Sequence, residues 1–372
     1  MVSLLKEPPG RWMGNRKSME YIHEGGNDMK KIKVITWGLG NMGRGITEML
    51  LTKEGIEVVG AIEKRVSQDV DLGIFLNKEV RLNVPVGNDP ERIILQTEPD
   101  LCILAINSFV KGVVEEISVL ASHGVNVITI AEEMAYPYYS EPLLSERIDK
   151  VAKENGISVL GTGVNPGFVL DTLILQLSMC VRRVDKIKAV RINDLSPFGM
   201  TVMEEQGVGR TEEDFRKGIE DGSVYGHVGF LQSIPMLAKA LGLEYDEIVQ
   251  TREPIISKVY RETKDVVVNI GMVAGCNHTA VAKKDGVEVI ILEHPQQVRP
   301  DLEEIETGDY IEIFGDPNIK MQIKPEVPGG IGTIAAAVNV IPHVLNAQPG
   351  LITMLDIPVV HAIMDDFRNH LK

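Results

Sequence analysis

The chain has 372 residues, 44% of them hydrophobic and 24% charged, which suits an ordinary globular protein long enough for two domains. Its net charge of -15 excludes a nucleic-acid binder, because phosphate neutralisation needs clustered Lys and Arg. No apolar run reaches the roughly 18 residues of a membrane span, and Cys102, Cys180 and Cys276 lack the spacing of a disulfide framework or a metal site, so a cytoplasmic protein with no metal and no membrane partner is expected.

Residues 1–28 have little hydrophobic periodicity and end on the turn-like "GGND", so they read as a tail outside the fold. Near Lys30 "KIKVITWGLGNMGRGITEMLL" begins as a strand, breaks at glycines and continues as a helix with Met42, Ile46, Met49 and Leu50 at helical spacing. Gly38-Leu39-Gly40-Asn41-Met42-Gly43 therefore has the strand-turn-helix context of a dinucleotide fingerprint. In that reading Gly38 makes the turn, Gly40 lets backbone approach a pyrophosphate, Gly43 allows close helix packing, and the helix N-terminus presents free N–H groups. Glu63 ends the next strand, "IEVVGAIE", where an acid should hold the ribose hydroxyls, and Lys64 and Arg65 just beyond it can receive a 2′-phosphate. The expected cofactor is NAD or NADP, with NAD favoured and dual use open.

"PDLCILAINS", "GVNVITI" and "GISVLGTG" continue the alternation of short apolar runs with helices, the signature of a doubly wound parallel sheet. Ligands bind outside the carboxyl ends of such strands, so Ala105, Asn107 and Ser108 should face the cofactor. The same rule puts Glu132 and Glu133 of "TIAEEMAYP" near the nicotinamide. Adjacent residues of an extended segment point opposite ways, so one glutamate should face the pocket as a general base and the other should find a structural partner. Which is which stays open, and the alternative is that both are first-turn acids of a following helix.

"GTGVNPGF" is a second glycine-rich corner, with Asn165-Pro166-Gly167 as a tight turn, read as both pocket loop and interdomain hinge. Beyond it "DKIKAVRIND", "DVVVNIGMVAG", "VEVIILEH", "GDYIEIFG" and "NIKMQIKP" lack obligatory intervening helices, which predicts an open mixed sheet in an α+β domain. The expected fold class is α/β, a Rossmann-type sheet plus an α+β substrate and dimerisation domain. The boundaries are 29–163 for cofactor binding, 164–328 for substrate binding and homodimer formation, and 329–372 for a helical return to the first domain. His227 is the midchain histidine expected in the pocket, ahead of His278. Arg210 is a candidate for binding a substrate carboxylate.

"WGLGNMGRG", "IAEEMAYP", "GTGVNPGFVLDTL", "YGHVGF" and the tail "AAAVNVIPHVLNAQPGLITMLDIP" together resemble the 2,4-diaminopentanoate dehydrogenases, which belong to the dihydrodipicolinate-reductase-like group and have native amine dehydrogenases as close relatives. The HHxxKxDxPSGT element of dihydrodipicolinate reductase proper is absent, which implies a changed substrate. The resemblance implies NAD(P)-dependent oxidative deamination of the C4 amine of 2,4-diaminopentanoate in ornithine degradation. It makes Glu132, ahead of Glu133, the catalytic glutamate. It also assigns Gly163, Val164, Asn165 and Pro166, with Met203, Tyr225 and His227, to the substrate pocket and Asn339 to the nicotinamide. The alternatives are a dehydrogenase of simple amines, a reductase of another imine, and a non-catalytic NAD-binding sensor.

Overall fold

A computed structural model describes residues 30–372; the tail expected at 1–28 lies outside the described residues. The strands in chain order are β1 (Ile32–Trp37), β2 (Ile56–Ile62), β3 (Val70–Asp71), β4 (Pro85–Gly87), β5 (Leu101–Leu104), β6 (Asn126–Thr129), β7 (Ser158–Gly161), β8 (Arg183–Asp194), β9 (Glu247–Ile256), β10 (Arg261–Glu262), β11 (Val267–Val268), β12 (Val273–Lys284), β13 (Val287–Gln297), β14 (Gly308–Asp316), β15 (Ile319–Ile323) and β16 (Gly350–Ile352).

One sheet has the order β16-β7-β6-β5-β1-β2-β4-β3 and is parallel except for the β3–β4 pair. Its strands are short and apolar because both faces are covered. Alternate residues go to two different cores: Val34, Leu101, Ile103, Ile128 and Leu160 to one, and Ile35, Cys102, Leu104, Val127 and Val159 to the other. A one-residue slip would exchange the two sets. The last strand, β16, pairs with β7, so the end of the chain completes the sheet that its beginning opened. Helix Gly329–Asn339 packs on helix Asn41–Leu50 through Gly45, where an added methyl would fall 2.4 Å from Ile334 Cδ1.

The second sheet has the order β15-β14-β8-β13-β12-β9 and is antiparallel except where β13 runs beside β8. Helices Thr172–Ser178 and Phe230–Leu241 cover one face and enclose Ile187, Ala189, Ala280, Ile290, Leu292 and Ile311. Followed along the same face, the pattern turns polar. Ile187 and Ala189 are succeeded by Arg191 and Asn193, and Ile290 and Leu292 by His294 and Gln296, all buried. Period-two alternation carries these polar groups inward as surely as it carries Ile and Leu.

Candidate active site

The glycine corner is built as its spacing predicts. Gly38 has φ +91°, and a methyl there would lie 2.4 Å from Ala105 O, so β1 and β5 close too tightly for any other residue. A methyl on Gly43 would strike Gly38 O at 1.8 Å, which sets the distance between helix and turn. Gly40, the N-cap of helix Asn41–Leu50, meets nothing within 4 Å of an added methyl, and no side chain caps the helix. Open space thus lies beside uncapped N–H groups, a cradle that fits a pyrophosphate, with Leu39 buried beneath it and Asn41 exposed.

Glu63 has a different occupation from the one expected. It is only 4% exposed; its Oε2 accepts from Leu39 N–H at 2.8 Å and its Oε1 from Arg65 Nε at 2.8 Å. The Arg65 guanidinium and these N–H groups hold the carboxyl down at about 2. Both oxygens are engaged in fixing the glycine loop, and the groups at the rim are Lys64, which is exposed, and Arg65, whose side chain is 61% exposed. Asn107 likewise turns back on its own loop, its Oδ1 accepting from Phe109 N–H at 2.8 Å, whereas Ser108 reaches the central cavity.

That cavity, of about 230 Å³, is where the two sheets' contributions meet. Met42 from the glycine corner, Ser108 and Glu132 line it together with Gly163, Val164, Asn165 and Pro166 and, from the second sheet, Arg191, Asn193, His294 and Gln296. Glu132 opens a single 3-10 turn, Glu132–Ala135, and not an extended segment. Gly161 sets this turn against β7, since a methyl there would lie 2.2 Å from Met134 O. Glu132 and Glu133 diverge for a helical reason, then, but they do diverge. Glu132 faces the cavity, while Glu133 accepts from Val110 N–H at 2.9 Å and ties the turn to the loop after β5. Burial is the main cause that raises the Glu132 carboxyl to about 7, opposed by hydrogen bonds that include the Ser108 hydroxyl and reinforced by the charge of Glu205.

Several groups escaped the sequence reading. Arg191, the cation at the cavity, is buried and paired with Asp309, and its Nη2 donates to Val327 O at 2.6 Å. Arg210 is elsewhere: it donates to Ser223 Oγ at 2.9 Å and does not reach the cavity. Met203 is also displaced from its expected place, for it is buried in a small apolar cluster with Leu195 and Val298, and its neighbours Val202, Glu205 and Gln206 face the cavity instead. Helical geometry decides this, because Val202, Glu205 and Gln206 fall at i, i+3 and i+4 on one face and Met203 lies off it. Asn339 is buried away from the cavity and accepts from Ile363 N–H at 3.3 Å; Thr333, six residues earlier on the same helix, lines the site. Nothing in the composition of "EEQ" or "EHPQQ" sets them apart; only the inward parity of the strands and helices does.

Tyr225 and His227 both line the cavity. His227 is packed edge-on against Phe230 and His294, and burial, helped by Arg191, lowers it to about 3, so it is neutral. His278 lies behind it with both nitrogens engaged, Nδ1 accepting from His227 N–H and Nε2 meeting Gln250 Oε1, each at 3.0 Å. Buried side-chain atoms without a partner among the described residues are Asn165 Oδ1, Asn193 Oδ1, Gln206 Oε1, His227 Nε2, His294 Nε2, Gln296 Nε2 and Asn277 Oδ1. All but the last belong to residues lining this one cavity. Buried polar atoms are normally satisfied, so their concentration here marks the place of a polar ligand.

Residues 168–372 match the 2,4-diaminopentanoate dehydrogenase C-terminal domain, and residues 32–129 match the dihydrodipicolinate reductase N-terminus. The chain is 46% identical to the 2,4-diaminopentanoate dehydrogenase of Acetoanaerobium sticklandii over 92% of its length and 97% of the relative's. The chain belongs to the 2,4-diaminopentanoate dehydrogenase family. An amine dehydrogenase of Streptomyces virginiae is 24% identical over 89% of this chain and 98% of its own. The solved amine dehydrogenase of Mycobacterium smegmatis superposes with a TM-score of 0.80 at 28% identity, covering 90% of this chain and 98% of that one. Membership makes the chain an oxidoreductase of the CH–NH2 class that uses a nicotinamide cofactor.

Proposed function

We propose that this enzyme oxidatively deaminates the C4 amine of 2,4-diaminopentanoate to 2-amino-4-oxopentanoate and ammonia, a step of ornithine degradation in the cytoplasm. One observation carries the reading: a carboxylate tuned to about 7 shares a cavity with the glycine corner on one side and a wall of unpartnered polar groups on the other. When bound, the nicotinamide accepts the hydride from the carbon bearing the amine.

The work of this chain is to hold the substrate and move protons. An ammonium has no lone pair to assist hydride loss, so Glu132 first takes its proton. Ser108 steadies the carboxylate, and the carboxyl's raised affinity for the proton matches the transfer to neutral pH. Hydride loss leaves an iminium. Once Glu132 has released its proton to solvent, the carboxylate orients the water that adds to the iminium carbon, takes a proton from it and returns that proton to the nitrogen. Ammonia leaves as the carbonyl forms. The substrate's carboxylate belongs against Arg191 and Gln296, where guanidinium N–H groups beyond those given to Asp309 and Val327 and an amide N–H can donate to it.

For the cofactor, NAD remains favoured and NADP is also accepted, because Glu63 is neutralised by Arg65 at a rim that carries Lys64 as well. The homodimer belongs to the proposal too. The outer face of the second sheet presents partly exposed Val190, Ile192, Val249 and Val281, and sedimentation as a monomer would remove this part.

The test is cofactor reduction by the purified enzyme with 2,4-diaminopentanoate beside simple amines, using NAD and NADP in turn. Turnover of the diamino acid well above that of 2-aminopentane supports the reading, and a preference for the simple amine overturns it.

A further inference from the structure

The proposed substrate carries two ammonium groups, and only one reacts. Glu132 accounts for the reacting one. A second carboxylate, Glu205, also lines the cavity; its charge is felt at Glu132, but the glycine motif gives it no role. It is half-buried and accepts a hydrogen bond from the Tyr225 hydroxyl; the Tyr225 ring is held edge-on by Phe109 at 5.8 Å, and its backbone carbonyl by Arg252 Nε at 2.7 Å. The next residue, Gln206, is 3% exposed, lines the same cavity, and its Oε1 has no partner; Asn193 Oδ1, 4% exposed, is in the same condition.

These atoms have one property in common. A carboxylate and two amide oxygens are all acceptors, and burying acceptors without a donor is costly. A group that brings several N–H donors and a positive charge satisfies them at once, and an ammonium is such a group. The only cation lining the cavity among the described residues, Arg191, is already paired with Asp309, so the protein does not supply the missing charge itself.

We infer that Glu205, with Gln206 and Asn193, forms the subsite for the non-reacting C2 ammonium of the substrate and makes the enzyme select diamino acids over monoamines. The inference rests on the reading given under Proposed function. It makes Glu205 a specificity residue that bears on the chemical step only through its charge at Glu132. Two carboxylates, one for each ammonium, also fix which amine meets the cofactor, because a substrate bound in reverse would leave its carboxylate away from Arg191.

Calorimetric titration of the NAD-loaded enzyme separates this role from a structural one. The probes are 2-aminopentanoate, which keeps the C2 ammonium and lacks the C4 amine, and pentanoate, which lacks both. For Glu205→Gln the expected result is a Kd for 2-aminopentanoate weakened by roughly tenfold or more, as for a lost hydrogen bond to a charged group, with that for pentanoate unchanged. Gln206→Leu should weaken 2-aminopentanoate alone by a smaller factor, and it provides a second route if Glu205→Gln folds poorly. Equal weakening of both probes, or of neither, in both variants overturns the subsite. If the wild-type enzyme fails to oxidise 2,4-diaminopentanoate, the reading beneath it falls and the subsite with it; if wild type oxidises it and the Kd values do not separate, only the subsite falls.

Discussion

The two walls of the site, the glycine corner that reaches the cavity through Met42 and the inner face of the second sheet, bind in opposite ways. The glycine corner offers backbone: Gly38 and Gly43 shape it, Gly40 leaves it open, and the side chain most expected to touch a ligand, Glu63, is already held by Leu39 and Arg65. The inner face of the second sheet offers side chains, and Asn193, His294 and Gln296 each keep an atom unpartnered. A backbone cradle suits a ligand shared by many enzymes, whereas unpartnered buried side chains discriminate, because a molecule lacking the right groups leaves them unsatisfied. Glu132 sits between the two walls, and chemistry is expected where the general meets the particular.

The sharpest way to break this division is to remove the group between the walls. Glu132→Gln should lower kcat by about 10²- to 10⁴-fold while cofactor still binds, as measured by initial rates and by cofactor titration. Glu133→Gln should keep kcat within about tenfold, because its bond to Val110 N–H serves the turn and not the substrate. Weaker, but specific to the polar wall, is Asn193→Ala: kcat/KM for the diamino acid should fall by roughly 10-fold or more, and that for 2-aminopentane should change little. On the backbone wall, Arg65→Ala should leave NAD use intact or improved and weaken NADP by up to about tenfold, the modest value of an exposed charge, read from the ratio of kcat/KM for the two cofactors.

The smallest effect is on stability. A carboxyl whose value rises from 4.5 unfolded to about 7 folded binds its proton more tightly in the native state. Its contribution to stability is present below pH 4.5 and is lost as pH climbs through 7. Glu132→Gln should therefore melt higher than wild type above pH 7, with the difference shrinking at acid pH, by thermal denaturation.

The same contrast explains what the sequence discloses. The glycine corner is contiguous, with every element of its logic within Ile32–Glu63, so spacing alone locates it. Glu132 and the "GTGVNPG" corner are legible because strand ends in a parallel sheet converge on one edge. The polar wall is assembled from β8 and β13, a hundred residues apart and brought together only by their parallel pairing, so Arg191 and Gln296 look like ordinary surface residues in a linear reading. Met203 and Asn339 mislead for a related reason. They share their helices with true cavity residues, and the turn of each helix puts them on a different face from Glu205 and Thr333, which a segment-level resemblance does not resolve.

The pH dependence of kcat/KM for 2,4-diaminopentanoate, taken side by side for wild type and Glu133→Gln, tests the central claim most directly. If Glu132 is the base, both profiles rise through an acid limb near 7, because the proton-accepting form appears only above its value. Losing the Glu133 charge moves the limb somewhat lower in the variant; a limb that disappears in Glu133→Gln, or a wild-type profile without one, would contradict the assignment of Glu132 as the group that takes the proton.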